Sequence, residues 1–293
     1  MRRPELLLNL SVPQFAAQAA QLPAAGVGLL RAEFLALGLG KHPLALLEEQ
    51  GEEAFVTVFR EGLETVARAF HPRPVTYRTL DLKSNEYRSL EGGERFEPVE
   101  SNPMIGRRGA FRYIISPDEL RLELRAVAAV LDGGLDNVHL MVPFVRTVDE
   151  LRQVKAFVEQ AGLFERPGFE LWAMAEVPAT ALLPERFAAE VSGISIGSND
   201  LTQLVLGADR DSAELGARYR ATDEAVLTAI ARIVEGAHAV GVPVCICGDA
   251  PSQEAGLIRR LVELGIDQIS VVPSAFDESV AAVDEAVGAG AAA

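Results

Sequence analysis

Eight short apolar runs recur along the whole of this 293-residue chain, with amphipathic stretches between them. The runs cover residues 6–11, 26–33, 75–81, 138–144, 169–177, 193–200, 242–249 and 268–273. Most are near-continuously hydrophobic and do not strictly alternate, the pattern of parallel strands covered on both faces. Residues 119–131 keep Leu120, Leu124, Val127 and Leu131 on one helical face, and 149–160 do the same with Leu151, Val154 and Val158. Residues 223–238 and 254–264 follow the same period, and Asp118, Asp149 and Ser252 stand where N-caps belong. Eight strands with intervening helices predict an α/β fold, a (β/α)8 TIM-like barrel in a single domain over 1–293. An open doubly wound sheet is the rival. Residues 42–70 read as extra helix after the second strand. Residues 83–112 read as a polar, glycine-containing excursion, a long functional loop near the barrel mouth. Residues 286–293 read as a frayed end, and no internal repeat or linker stands out.

Composition narrows the function classes. Hydrophobic residues make up 49% and charged residues 24%, which fits a soluble globular protein and excludes a disordered, collagen-like or disulfide-scaffold chain. A chain of about 300 residues buries roughly 75% of its unfolded surface without staples. No apolar run reaches the roughly 20 residues of a membrane span, and the N-terminal run is too short for a signal segment. The expected location is cytoplasmic. A net charge of −15 argues against nucleic acid and against an anionic membrane as partners. The cysteines, Cys245 and Cys247, are two apart on a predicted strand, where disulfide geometry is hard to reach, so both are expected reduced. Four scattered histidines offer no zinc set.

In a barrel the chemistry gathers at the C-terminal ends of the strands. The run 193–200 ends in Gly197, Ser198, Asn199 and Asp200, and the run 169–177 reaches Glu176. Two carboxylates on adjacent strands suit Mg²⁺, and the amides of a tight Gly-Ser-Asn turn suit an anion. Arg31, Arg78, Arg108 and Arg210 fall at the same rim. A charge within an apolar strand needs a partner or a ligand, and for Arg78 both readings stand: a pair with a barrel acid such as Asp81 or Glu33, or a bound ligand. Several arginines around a cation describe a pocket for a small, multiply charged anion. Cys247 ends the seventh run, where a protonated thiol can give a proton to carbon and take it back. Cys245 reads as a small core residue. His42 and His71 precede prolines as turn residues, His139 starts a strand and His238 lies on a helix, and none has a nucleophilic partner at motif spacing.

These residues resemble the phosphoenolpyruvate-utilising enzymes, and within that family the barrel of the phosphoenolpyruvate synthases. The resemblance spans about 5–280. It rests on 26–34, 80–87, 102–112, 142–147, 195–210 and 246–252. The most specific strings are Gly197-Ser198-Asn199-Asp200-Leu201-Thr202-Gln203 and Lys83-Ser84-Asn85-Glu86-Tyr87. The resemblance implies that Glu176 and Asp200 bind Mg²⁺. It implies that Arg31, Arg78, Arg108 and Arg210 surround phosphate and enolate, that Asn199 holds substrate beside Asp200, and that Cys247 is the acid/base toward the enolate methylene. It implies pyruvate and phosphoenolpyruvate as ligands, a homodimer, and a phosphohistidine supplied from elsewhere. The family's ATP-binding and phosphohistidine domains have no counterpart in these 293 residues. Asp249 stands where the synthases carry an uncharged amide, and an added acid is expected to raise the thiol's pKa slightly.

The expected reaction is metal-assisted enolisation of pyruvate, with phosphoryl transfer between a phosphohistidine and the enolate. Two other readings remain open. One is a Mg-dependent lyase or aldolase working through pyruvate enolate. The other is a non-catalytic ligand-binding or dimerisation module.

Overall fold

Each predicted run contains a strand. In the computed structural model, which describes residues 2–33, 40–210, 212–254 and 256–291, these are β1 (Glu5–Leu10), β2 (Val27–Arg31), β3 (Val75–Arg78), β4 (Val138–Val142), β5 (Leu171–Ala175), β6 (Gly193–Gly197), β7 (Val244–Cys247) and β8 (Gln268–Val271). All pair in parallel in chain order, and β8 closes onto β1 through Glu5↔Gln268 and Leu8↔Val271. The sheet is therefore a closed barrel in one domain, and the open-sheet alternative is excluded. The continuous hydrophobicity of the runs has two sources. Alternate residues such as Leu6, Leu8, Val75, Tyr77, Ile194 and Ile196 pack with the surrounding helices. The intervening Leu7, Leu29, Met141, Trp172, Met174, Cys245 and Cys247 form a separate cluster inside the barrel.

The helices follow their amphipathic periods, but several boundaries shift. The predicted 119–131 lies within the helix Pro117–Asp132. Ser116 precedes it at the cap position and Pro117 opens it, which moves Asp118 into the first turn, where its charge suits the helix dipole. Thr147, not Asp149, caps Val148–Gln160 by accepting from Glu150 N. Ser252 caps nothing: it lies inside the short helix Ala250–Gln253 and accepts from Val272 N, and Leu257–Glu263 starts from Gly256. The end does not fray at 286. The helix Phe276–Ala291 runs on, and residues 292–293 lie outside the described residues. No described helix is long and apolar enough to cross a membrane.

The excursion 83–112 is more ordered than a loop. It holds the helix Ser84–Ser89, two 3-10 turns and the start of Gly109–Ile115. A fully buried charge cluster fastens it to the barrel's helices. Arg112 reaches Glu97 at 2.6 Å and Glu119 at 2.7 Å, its guanidinium lies over Tyr87, and His42 Nε2 lies 3.0 Å from Glu97. His42 is thus more than a turn residue: it caps Pro43–Gln50 and anchors the excursion.

A second buried group under the barrel wall is Glu123. It accepts from Tyr77 Oη at 2.8 Å and from Leu80 N at 3.1 Å. Burial pushes its carboxyl up to about 8, against those two hydrogen bonds and with help from Glu119 and Glu33. The folded chain therefore keeps a proton that the unfolded chain loses near 4.5. Between these values the native state binds more protons, so this group makes stability fall as pH rises, by a total on the order of 5 kcal/mol. Glu123→Gln, a neutral isostere, is expected to flatten the fall in urea-unfolding stability between pH 5 and pH 8. An unchanged pH profile in the variant would show that Glu123 is ionised in the native state.

Candidate functional site

The inward-facing side chains change from apolar in mid-barrel to polar at the C-terminal ends of the strands. Leu7 is followed two residues on by Asn9, Leu29 by Arg31 and Met174 by Glu176. The two-residue period of a strand puts both members of each pair on one face. Arg31, Arg78 and Cys247 are the last residues of β2, β3 and β7, and Glu176 and Ser198 directly follow β5 and β6. Together with Arg108, Asn199, Asp200 and Arg210 they line one cleft of about 560 Å³. All nine predicted site residues are therefore neighbours. Phe34, at the end of the stretch 26–34, lies outside the described residues.

One local expectation fails. Ser198, Asn199 and Asp200 do not end a strand in a tight turn. β6 stops at Gly197, and these residues form the first turn of the helix Ser198–Leu206. The positive end of that helix favours the Asp200 carboxylate.

Three buried carboxylates converge here, Asp81, Glu176 and Asp200, each with an oxygen within 4.8 Å of the others. Arg108 joins two of them: its Nη2 lies 2.6 Å from Asp81 Oδ2 and 2.8 Å from Asp200 Oδ2. Arg78 pairs with Glu33 at 2.6 Å, one of the two partners its strand position suggested, and sits 3.9 Å from Asp81. Arg210 lies 3.3 Å from Asp200 Oδ1, a buried oxygen that accepts no hydrogen bond among the described residues. Burial works against ionised Asp200, but Arg108 and Arg210 outweigh it and hold the carboxyl below its usual range. Glu176 goes the other way: burial, Asp200 and Asp81 push it up to about 8. Such divergence among adjacent acids marks a site short of positive charge. A divalent cation fits this donor set, because it would replace the proton on Glu176 and engage Asp200 Oδ1, which Arg210 approaches without a hydrogen bond.

The backbone N–H of Phe144, just beyond β4, donates to Glu176 Oε1 at 2.7 Å. Phe144 adopts φ +46°, a strained value for a residue with a side chain. Its ring carries Arg108 at 4.1 Å and Arg146 at 4.7 Å from the centroid. Gly109 makes this possible: its own φ is +58°, and a Cβ there would collide with Phe144 and with Pro143 O. One strained turn thus aims an amide at Glu176 and a ring at Arg108.

Cys247 is fully buried at the cleft floor. Burial pushes its thiol up to about 11, against Ser195 and Arg78 and with help from Glu176. The rise does not come from Asp249. That side chain is half-exposed and engaged elsewhere: Asn199 Nδ2 donates to its carboxylate at 2.7 Å, its own N–H donates to Asn199 Oδ1 at 3.1 Å, and Arg31 lies 3.9 Å away. Asn9 Nδ2 donates to Gly248 O at 2.9 Å and fixes the peptide between Cys247 and Asp249.

Comparison with known proteins settles the family. The family described as PEP-utilising enzyme, PEP-binding domain, matches residues 1–286. The chain belongs to this family. A probable phosphoenolpyruvate synthase of Staphylothermus marinus is 49% identical over 278 residues, 92% of this chain and 33% of that protein. The phosphoenolpyruvate synthase of Escherichia coli is 40% identical over 92% of this chain and 37% of its own length. The PEP-binding domain thus spans about a third of these relatives. Among solved structures, a citrate lyase from Burkholderia xenovorans shares the fold at TM-score 0.56 and 17% identity, covering 97% of this chain and 78% of that one.

Sequence reasoning missed the roles of Asp81 and Phe144 in this PEP-binding domain. Asp81 was visible only as a partner for Arg78. Its place three residues beyond that strand-end arginine puts it at the level of Glu176 and Asp200. The backbone of Phe144 carries no signal in residue type. For Arg108, truncation would leave Asp81 and Asp200 buried without their shared cation. Arg108→Ala is expected to cost about 3–5 kcal/mol in urea unfolding. Arg108→Lys should recover only part of this, since an ammonium cannot supply the two-nitrogen fork by which Nε and Nη2 grip Asp81. Equal stability of wild type and Arg108→Ala would show that the two acids find other partners.

Proposed function

We propose that this domain is the pyruvate/phosphoenolpyruvate half-site of a phosphoenolpyruvate synthase-like phosphotransferase. The observation that carries the reading is the buried trio Asp81, Glu176 and Asp200, ringed by arginines and floored by a buried thiol. Membership of the PEP-binding family supports the ligand class. Asp81, Glu176 and Asp200 would hold Mg²⁺, which when bound polarises the carbonyl of pyruvate and stabilises negative charge on its oxygen. Arg31, Arg78, Arg108 and Arg210 hold the carboxylate and phosphoryl charges of the ligand, and Asn199 orients it beside Asp200. Four arginines face the carboxylates of Glu33, Asp81, Glu176, Asp200 and Asp249, so a divalent cation tips the cleft toward accepting an anion.

Cys247 moves the proton. Toward phosphoenolpyruvate, its thiolate takes a proton from the pyruvate methyl: the C3–H bond breaks, an S–H bond forms, and the electron pair passes to the enolate. The enolate oxygen then attacks phosphorus as the phosphohistidine N–P bond breaks. In reverse, the neutral thiol protonates C3, and a thiol pushed up to about 11 is held in that donor form near pH 7. The histidine comes from a part of the enzyme beyond this domain, consistent with relatives about three times as long. The working protein is a cytoplasmic, gluconeogenic homodimer on this reading.

Calorimetric titration with oxalate, a planar mimic of pyruvate enolate, tests the site. Binding is expected only with Mg²⁺ and is lost in Asp200→Ala. Metal-independent binding, or none in either condition, would sink the reading. Deuterium uptake into the pyruvate methyl with Mg²⁺ is expected in wild type and absent in Cys247→Ala. Retro-aldol release of pyruvate from a larger acid would favour a lyase instead.

A further inference from the structure

Cys247 needs a partner that the strand-end residues do not supply. It must alternate between thiol and thiolate inside a floor from which water is excluded, and an unassisted thiolate there is costly. Arg78 and Arg31 favour the thiolate from the rim, and Glu176 opposes it. The contact made to the sulfur itself comes from below. Ser195 Oγ donates to Cys247 Sγ at 3.4 Å, and both residues are fully buried. The barrel's register sets this distance. On the parallel pair β6–β7, Ser195 is level with Cys245 and Gly197 with Cys247, so a side chain at 195 leans along the strand toward the thiol one layer up. Gly197, opposite Cys247, contributes no side chain. The side chains level with it on the neighbouring strands, Met174 and Cys245, carry no nitrogen or oxygen acceptor, so the hydroxyl turns to sulfur.

We propose that Ser195 is a positioning residue for Cys247, donating its hydroxyl proton to the sulfur so that the thiol's own hydrogen is turned toward the cleft. The proposal rests on the enolisation reading above and adds to it the group that orients the acid/base. In the thiol state the Ser195 hydrogen fills the rear of the sulfur. In the thiolate state the same hydrogen bond becomes charge-assisted and strengthens. It therefore acts on the proton-transfer step and leaves the rim arginines and the carboxylate trio untouched. Cys245 is the competing recipient of this hydroxyl, being level with it on β7.

Two readouts test this. With Cys245→Ala, Cys247 is the only cysteine left, and the S–H stretching band in the infrared reports it alone. Ser195→Ala is expected to shift that band and Ser195→Thr to restore it. In the second readout, Ser195→Ala is expected to slow deuterium uptake into the pyruvate methyl about tenfold or more, as loss of a hydrogen bond to a charged group would. Mg²⁺-dependent oxalate affinity should be retained, and Ser195→Thr should recover the rate. A band that does not move overturns the proposal. So does an uptake rate unchanged in Ser195→Ala, or a shift seen only for Cys245 in the Cys247→Ala chain. A shifted band in a protein whose wild type takes up no deuterium upholds the contact and sinks the enolisation reading.

Discussion

A single guanidinium joins parts of the barrel mouth that no hydrogen-bonded ladder connects. Arg108 arrives from the long excursion after β3 and reaches both Asp81 and Asp200, the second from the helix after β6. Buried ion pairs seldom add stability over well-packed apolar residues, because desolvation offsets most of the attraction. What the arrangement does supply is position. Each acid is held at a fixed place, and the third acid, Glu176, accepts a backbone amide and has no ion pair of its own among the described residues. The proton that Glu176 takes up marks where positive charge is lacking. A site built for a cation has this signature before any cation is considered.

The rest of the molecule can be followed outward from Arg108. Its planar face rests on Phe144, and the strained turn that presents Phe144 also presents the amide to Glu176. Gly109, adjacent to Arg108 in sequence, leaves room for that turn. Four residues past Arg108, Arg112 locks the helix Gly109–Ile115 onto Glu97 and Glu119 in a cluster closed to solvent. The excursion therefore has two anchors, one in the cleft and one behind it. A segment that must deliver one atom to within hydrogen-bond range of two acids needs such backing.

How much of this could be read from the sequence depends on what sets each feature. The strands were legible because their apolar runs answer to burial on two faces, which is a property of residue type. The strand-end polar residues Arg31, Arg78, Glu176 and Cys247 were legible for a related reason: a polar side chain in phase with an apolar inner face has only the mouth to go to. Caps were less legible, since Ser116 and Thr147 compete with nearby Asp118 and Asp149 and only the local backbone decides. Asp200 was found as a residue but misplaced on a strand, because Gly197 ends β6 without a break in the apolar pattern. The excursion's order was hidden, since its anchors His42, Glu97, Arg112 and Glu119 are far apart in sequence and polar by type. Phe144 was out of reach, because its role lies in a backbone angle.

Asp249 shows where residue type alone misleads. A carboxylate next to Cys247-Gly248 in sequence invites the inference that it acts on the thiol. Gly248, at φ +97°, turns the chain between them, and a side chain there would meet Ser198 Oγ. The Asp249 carboxylate consequently points to Asn199 and Arg31 at the rim, while the Cys247 thiol stays below it. An acid that holds Asn199 and faces Arg31 belongs to the rim of the cleft, apart from the thiol at its floor. Sequence adjacency put Asp249 beside the Cys247 thiol, whereas the turn at Gly248 puts it beside Asn199 and Arg31.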